Sequence, residues 1–439
     1  SHAMSAQPIK TTTTPVSQAA QASQVSQASQ PTASTIRDWP LSVRLLLNAG
    51  HAIDHMYLLI FAAAVGVIAI DFGFTRWEDL MPFGVGAFIL FGLGALPAGR
   101  LGDLWGRRQM MLVFFFGMAA SMLLAALSNS AWQMAAALTV MGAFASIYHP
   151  VGIPMLVQRS STPGMAIGIN GLAGNLGVAV AALITGFLVK WLGWRAAFVV
   201  PSLIALACGF LFMYLCPKEV EAPAKGRIKA RVQLPPKLLM RALLVLTMVA
   251  VSSNMLFNFT TNGNGQLMIE RFRGIIEDPA TLGMLLAAVY AIGALAQIVV
   301  GRLLDRVAIK PLFLTVVLLQ IPFLLLASVS HGWVLYAALI GCMAVIFGSI
   351  PFVDVVITRY VDDRIRSRVA GFRLAVSLGI SALAVWILGP FVKSSGFDSL
   401  FMFMALISVC TFAVVLMLPS ERMVTQPLPS NAPDTPQVS

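Results

Sequence analysis

The chain has 439 residues, of which 58% are hydrophobic and 11% charged, and its formal net charge is +11. A soluble domain carries about 25% charged residues, so a water-soluble fold of this length would leave large apolar patches in water; lipid is the solvent that removes the difficulty. The positive balance is the ordinary excess of Lys and Arg in a membrane protein's cytoplasmic loops, and no basic face with base-stacking aromatics accompanies it, which excludes nucleic acid as a partner.

Ser1-His2-Ala3-Met4 reads as an expression-tag scar, and Ser5 to Thr35 is rich in Gln, Ser, Thr and Ala with no apolar run. Residues 1–40 are therefore expected to form a disordered tail. A bilayer core needs about 20 apolar residues per helix. Twelve such spans follow, at 42–70, 80–98, 110–127, 133–157, 165–189, 196–216, 240–268, 281–300, 311–329, 333–357, 369–392 and 400–418. They divide into a first six-helix bundle, 41–216, a basic, Pro-containing connection, 217–239, and a second bundle, 240–418, before a disordered tail, 419–439. The other connections are too short for a soluble catalytic domain. Cys208, Cys216, Cys342 and Cys410 lie in or at the ends of apolar segments without metal spacing and read as reduced packing residues.

An even number of spans places both termini on one side, and 22 of the 29 Lys and Arg residues fall in segments on that side, which predicts that both termini are cytoplasmic. The two halves echo each other. Gly99-Arg100-Leu101-Gly102-Asp103 follows the second span and Gly301-Arg302-Leu303-Leu304-Asp305 the eighth, with weaker echoes pairing Pro150 with Pro351 and Gly168 with Gly371. Two related halves around a central cavity is a transporter architecture. No G-x-x-x-x-G-K-[ST] loop is present, so ATP is not the energy source, and transport is expected to couple to an ion gradient or run downhill.

Gly99 through Arg108, reading GRLGDLWGRR, resembles the signature loop of the major facilitator superfamily, departing at Gly102 and Leu104, where that pattern has Ala and Arg. Gly193-Trp194-Arg195-Ala196-Ala197-Phe198 is similar to the start of the superfamily's sixth span. His51-Ala52-Ile53-Asp54-His55, Tyr148-His149-Pro150 and Gly174-Asn175-Leu176-Gly177 resemble the fosmidomycin-resistance-like branch. The superfamily resemblance implies an all-α membrane protein with twelve transmembrane helices in two pseudo-symmetric six-helix bundles. The branch resemblance implies efflux of drugs or small polar anions by proton antiport. The fifth span has Gly174-Asn175 where the superfamily's antiporter motif has Gly-Pro. By the same resemblance, Asp103, Arg107 and Asp305 are gating residues in cytoplasmic loops that hold the outward-open state.

Ionisable groups within lipid are costly and therefore functional candidates. His51, Asp54 and His55 sit at i, i+3 and i+4, on one helix face, with His51 on the order of 10 Å inside the Arg44 end of its span. Asp54 is expected to accept the coupling proton, with both histidines tuning it; the plain alternative is a polar knot that ties helices together. His149 precedes Pro150 and Pro154, which should bend the fourth span; it either joins the first-span cluster, binds an anionic substrate, or packs between helices. Asp354 and Arg373 are the intramembrane charges of the second half and are expected to pair, as an anion site with a competing carboxylate or as a structural ion pair. The seventh span, with Asn254, Asn258, Thr260, Thr261, Asn262, Gly263, Asn264, Gly265 and Gln266, is expected to unwind and to contact substrate or gate the outer side, the plain alternative being a helix that ends early near the periplasm. Asn258, Asn262 and Asn170 complete the candidate substrate-binding set.

The expected function is alternating-access transport of a small polar or anionic solute or drug across the bacterial inner membrane by a multi-pass monomer, with membrane lipid and protons as its further partners. No enzyme activity and no cofactor are expected. Proton-coupled efflux leads, proton-coupled uptake of organic acids stands beside it, and transition-metal transport on the His51/Asp54/His55 face is a third reading.

Overall fold

The computed structural model describes residues 38–218, 235–360 and 363–420, with the side chains at 163–164, 354, 358–360, 363–375 and 378 left aside. The expected disordered tails, and 219–234 of the central connection, lie outside the described residues. Every regular element among the described residues is helical. In chain order these are α1 (Leu41–Asp71), α2 (Trp77–Leu80), a 3-10 turn (Met81–Gly84), α3 (Val85–Leu93), α4 (Ala95–Trp105), α5 (Arg107–Ala126), α6 (Ala131–Ala145), a π turn (Tyr148–Gly152), α7 (Ile153–Gln158), α8 (Pro163–Leu192), α9 (Ala196–Leu215), α10 (Pro236–Arg271), α11 (Pro279–Leu304), α12 (Ile309–Val329), α13 (Gly332–Tyr360) and α14 (Asp363–Leu416).

Ten described helices or broken helices are long and apolar enough to cross a bilayer, and the pair Trp77–Leu93 and Ala95–Trp105, bent by 45°, makes eleven. α14 turns at Gly396, whose φ of 77° is open to glycine at little cost. Its arms, 363–395 and 397–416, counted separately, bring the described crossings to twelve. Local signals set the helix ends: proline stands at the start of α8, α10 and α11, where its missing N–H costs no helical bond. Asp278 caps α11 by accepting the Thr281 N–H at 3.0 Å. Outward faces carry Leu203, Phe210, Leu211, Leu318 and Leu325, large apolar side chains suited to acyl chains.

Two sequence expectations change. The Gly99–Asp103 and Gly301–Leu304 segments are not loops: both are helical, because α4 continues to Trp105 and stops only at Gly106, with φ 96°, and α11 continues to Leu304. The seventh span does not unwind. α10 is helical throughout, since its polar side chains bond back along their own helix: Asn258 Nδ2 to the Asn254 carbonyl at 2.9 Å, Asn262 Nδ2 to the Asn258 carbonyl at 3.0 Å, and Thr261 Oγ1 to the Phe257 carbonyl at 2.7 Å.

The halves meet most tightly at the end of the molecule opposite the start of α1, here the distal end. Lys190 Nζ lies 2.8 Å from Asp278 Oδ1 and Lys393 Nζ 2.6 Å from Asp79 Oδ1, each pair crossing from one half to the other. The Trp77 and Phe397 rings stack across the same seam with centroids 6.1 Å apart. One hydrophobic core runs through both halves, but a second, around Val249, Phe313, Phe352 and Val415, belongs to the second half alone at the proximal end. There the first turns of α8 are exposed nearly all round, at Met165, Ile167, Ile169 and Leu172. The halves are therefore held together distally and parted proximally.

Candidate functional site

α1 presents His51 and His55 one turn apart, and their Nε2 atoms approach to 3.1 Å. The π turn at Tyr148–Gly152, where Pro150 cannot supply an N–H, widens the fourth span so that Tyr148 and His149 both face α1. The Tyr148 ring stacks on His51 at 4.9 Å between centroids with 16° between planes, and His149 meets His51 edge-on at 5.1 Å and His55 at 5.4 Å. His149 Nδ1 lies 3.2 Å from Asp54 Oδ2. The contact has ion-pair distance without hydrogen-bond alignment: neither Asp54 oxygen receives a hydrogen bond among the described residues, although the side chain is 0% exposed.

The opposing wall is α8. The Asn170 carbonyl accepts from His51 Nδ1 at 2.7 Å, which fixes that ring as the Nδ1–H tautomer and leaves Nε2 with its lone pair when neutral. The Asn170 amide donates to Tyr148 Oη at 2.6 Å and to Asn48 Oδ1 at 2.9 Å, while Tyr148 Oη donates to the Leu47 carbonyl at 2.7 Å. Gly174 sits against the imidazole itself; a Cβ there would fall 2.7 Å from His51 Cε1. His51 is thus held by a carbonyl, a stacked phenol and a bare stretch of backbone. His149, its side chain 31% exposed, and His55, also partly exposed, give the cluster its open edge, and of the two it is His149 that approaches Asp54.

Of the residues singled out from sequence, His51, Asp54, His55, His149 and Asn170 come together in this cluster. Asn258 and Asn262 lie apart, buried in α10. Asn258 Nδ2 also donates to Ser381 Oγ at 2.9 Å, whereas Asn262 Oδ1 is buried without a hydrogen bond, at the wall of a cavity of about 10 Å³ between the halves lined also by Leu59, Val178 and Tyr290. That volume suits one water. Asp103 and Arg107 contact each other at 3.6 Å within the first half, and Asp305 is exposed at the end of α11. The side chains of Asp354 and Arg373 lie outside the described residues. The three ring nitrogens that converge, within 4.8 Å of one another, belong to His51, His55 and His149; Asp54 stands behind His149.

Other features had no sequence signal. Asn175 Nδ2 donates to Gln297 Oε1 at 2.7 Å, a polar bridge between the halves deep in the bundle. A cavity of about 540 Å³ lies between the distal ends of α1, α8, α10 and α11, with Arg76, Glu78, Glu270 and Arg273 on its rim.

The sequence profile described as Major Facilitator Superfamily matches residues 47–275 and 275–437. The chain is 26% identical over 336 residues to the multidrug resistance protein MdtG of Proteus mirabilis, spanning 73% of this chain and 82% of that one. It is 29% identical over 149 residues to a probable actinorhodin transporter of Streptomyces coelicolor, but this covers 33% of the chain and only 26% of the relative. Its fold superposes on a D-xylose-proton symporter with a TM-score of 0.69 at 16% identity, covering 86% of this chain and 96% of the other.

Proposed function

The chain belongs to the major facilitator superfamily of secondary transporters, and from that premise we propose that it exports a small polar or anionic solute or drug, driven by proton entry, as the resemblance to the fosmidomycin-resistance-like branch implies. The observation that carries this reading is Asp54: a carboxylate with no exposure and no hydrogen bond among the described residues, 3.2 Å from the partly exposed imidazole of His149. A carboxylate buried within the bilayer is costly and therefore a functional candidate, and His149 is the partly exposed group in contact with it.

Supporting the export direction, relatives covering most of the chain are named for multidrug resistance. With the halves held together distally, the solute is taken up from the proximal side, and the distribution of Lys and Arg supports reading that side as cytoplasmic. A proton arriving at Asp54 loosens its attraction for His149 and biases the bundle toward the opposite opening. Asp103, Arg107 and Asp305 are positioned to engage when the proximal ends close.

The test is solute flux in proteoliposomes under an imposed pH gradient, screened over anions and drugs. The expected result is uphill export that Asp54→Asn abolishes while leaving downhill exchange intact. Unchanged proton coupling in Asp54→Asn removes the residue from this role, and proton-driven accumulation toward the proximal side reverses the direction.

A further inference from the structure

We propose that His51, His55 and His149 form a binding site for one divalent transition-metal ion of zinc-like character, with Asp54 as the carboxylate that orients and balances it. One ring nitrogen from each histidine lies within 4.8 Å of the other two. The Nε2 atoms of His51 and His55 face each other at 3.1 Å, close to the separation of about 3.3 Å that tetrahedral coordination with Zn–N bonds of about 2.05 Å gives.

The surroundings point the same way. A ligating imidazole is characteristically held on its other nitrogen by a carbonyl or a carboxylate. His51 has the Asn170 carbonyl on Nδ1 at 2.7 Å, and His149 has the Asp54 carboxylate 3.2 Å from Nδ1. Asp54 supplies one negative charge at the place where a buried cation needs it, and its oxygens are otherwise without hydrogen bonds. Three imidazoles leave a fourth position, on the open edge of His149, for water or an anionic group of a solute. Among the described residues no cysteine joins the three histidines, and an all-imidazole set suits Zn²⁺, Co²⁺ or Ni²⁺.

This site rests on ligand geometry and requires no solute flux. A protein that binds metal but shows no proton-driven transport keeps this inference and loses the previous one, and the converse holds equally. The experiment is Co²⁺ titration of the full chain in detergent, without any polyhistidine tag, read by visible d–d absorption and by Zn²⁺ competition. The expected result is one Co²⁺ per chain with the intense absorption of a four-coordinate site, displaced by Zn²⁺. It should be lost in His55→Asn and His149→Asn, weakened about 10- to 100-fold in Asp54→Asn, and unaffected by His331→Asn, which alters a histidine of the second half. Only the faint absorption of the hydrated ion, or a signal that survives both histidine substitutions, overturns the proposal. If those variants fail to fold, diethylpyrocarbonate labelling of the wild-type chain decides: Zn²⁺ protecting His149 supports the site, and unprotected labelling overturns it.

Discussion

Lys190 Nζ and Asp278 Oδ1 lie 2.8 Å apart across the seam between the halves, one from the last turn of α8 and the other capping the first turn of α11. The Lys190 hydrogen bond, with help from the Thr281 hydroxyl and N–H, draws the Asp278 carboxyl from 3.8 down to about 2. A lowered carboxylate contributes fully above its ordinary value, and the contribution is lost only as pH falls through about 2. The pair is therefore indifferent to pH between about 5 and 8. Asp278→Asn should lower the population of the distally sealed state without changing how that population varies with pH over this range. Spin labels at Leu127→Cys and His331→Cys in a cysteine-free background, on the distal ends of the two halves, would measure both quantities. A flattened pH response in Asp278→Asn would show that this pair, not the buried cluster, senses protons.

Close backbone approach makes a second demand on the seam. A methyl group built on Gly186 would run into the Pro279 carbonyl, and one on Gly283 into the Ala182 carbonyl. Backbone cannot step aside as a flexible side chain can, so Gly186→Val should cost the sealed state about 1–3 kcal/mol, roughly 5- to 150-fold in the ratio of sealed to distally open molecules. The same labels should report distal opening, with thermal stability nearly unchanged because the clash lies between halves and not within one. A sealed population equal to wild type would contradict the close approach.

Much of the architecture was legible in the sequence because lipid imposes it: uninterrupted apolar runs have to be helices, and their lengths gave twelve crossings. Misreadings fell where composition looked like a breaker and tertiary context overrode it. Glycines and amides suggested that 254–266 unwinds, yet the Asn and Thr side chains return their hydrogen bonds to carbonyls one turn back, which residue type alone does not reveal. At the site, the spacing of His51 and His55 is helical and visible, and their ring nitrogens do meet. The approach of His149 to Asp54 depends on a π turn, and no periodicity encodes one. Tyr148 stood in a quoted motif without a role, although it is the residue on which the cluster stacks. Lys190–Asp278, Lys393–Asp79 and Asn175–Gln297 depend on how two bundles dock, information carried by neither bundle's own pattern.

Tyr148 offers a test of that stacking. Tyr148→Phe keeps the ring against His51 but removes the bond to the Leu47 carbonyl and the acceptor for the Asn170 amide. The expected loss is about 1–2 kcal/mol of stability, read as a lower midpoint of thermal unfolding in detergent. The Asn170 carbonyl, freed from a fixed side chain, should also hold His51 less firmly, seen as faster hydrogen exchange or broadened imidazole resonances. A midpoint equal to wild type would show that water replaces both bonds and that the phenol acts through its ring alone.

The Asn175–Gln297 bridge joins the halves beyond the distal seam, between α8 and α11, at 2.7 Å. Asn175→Ala leaves the Gln297 amide without this partner, and Gln297→Ala does the reverse, so each single change should shift the conformer ratio. The double change should cost less than their sum, since the bond can be lost only once. Intramembrane side-chain bonds give coupling of about 0.6 kcal/mol on average and at most about 1.7, so a factor of roughly 3 to 18 in the conformer ratio is expected from the cycle. Additive effects would mean that the two amides are satisfied separately, by water in the proximal opening, and that the halves are held in register by the distal pairs alone.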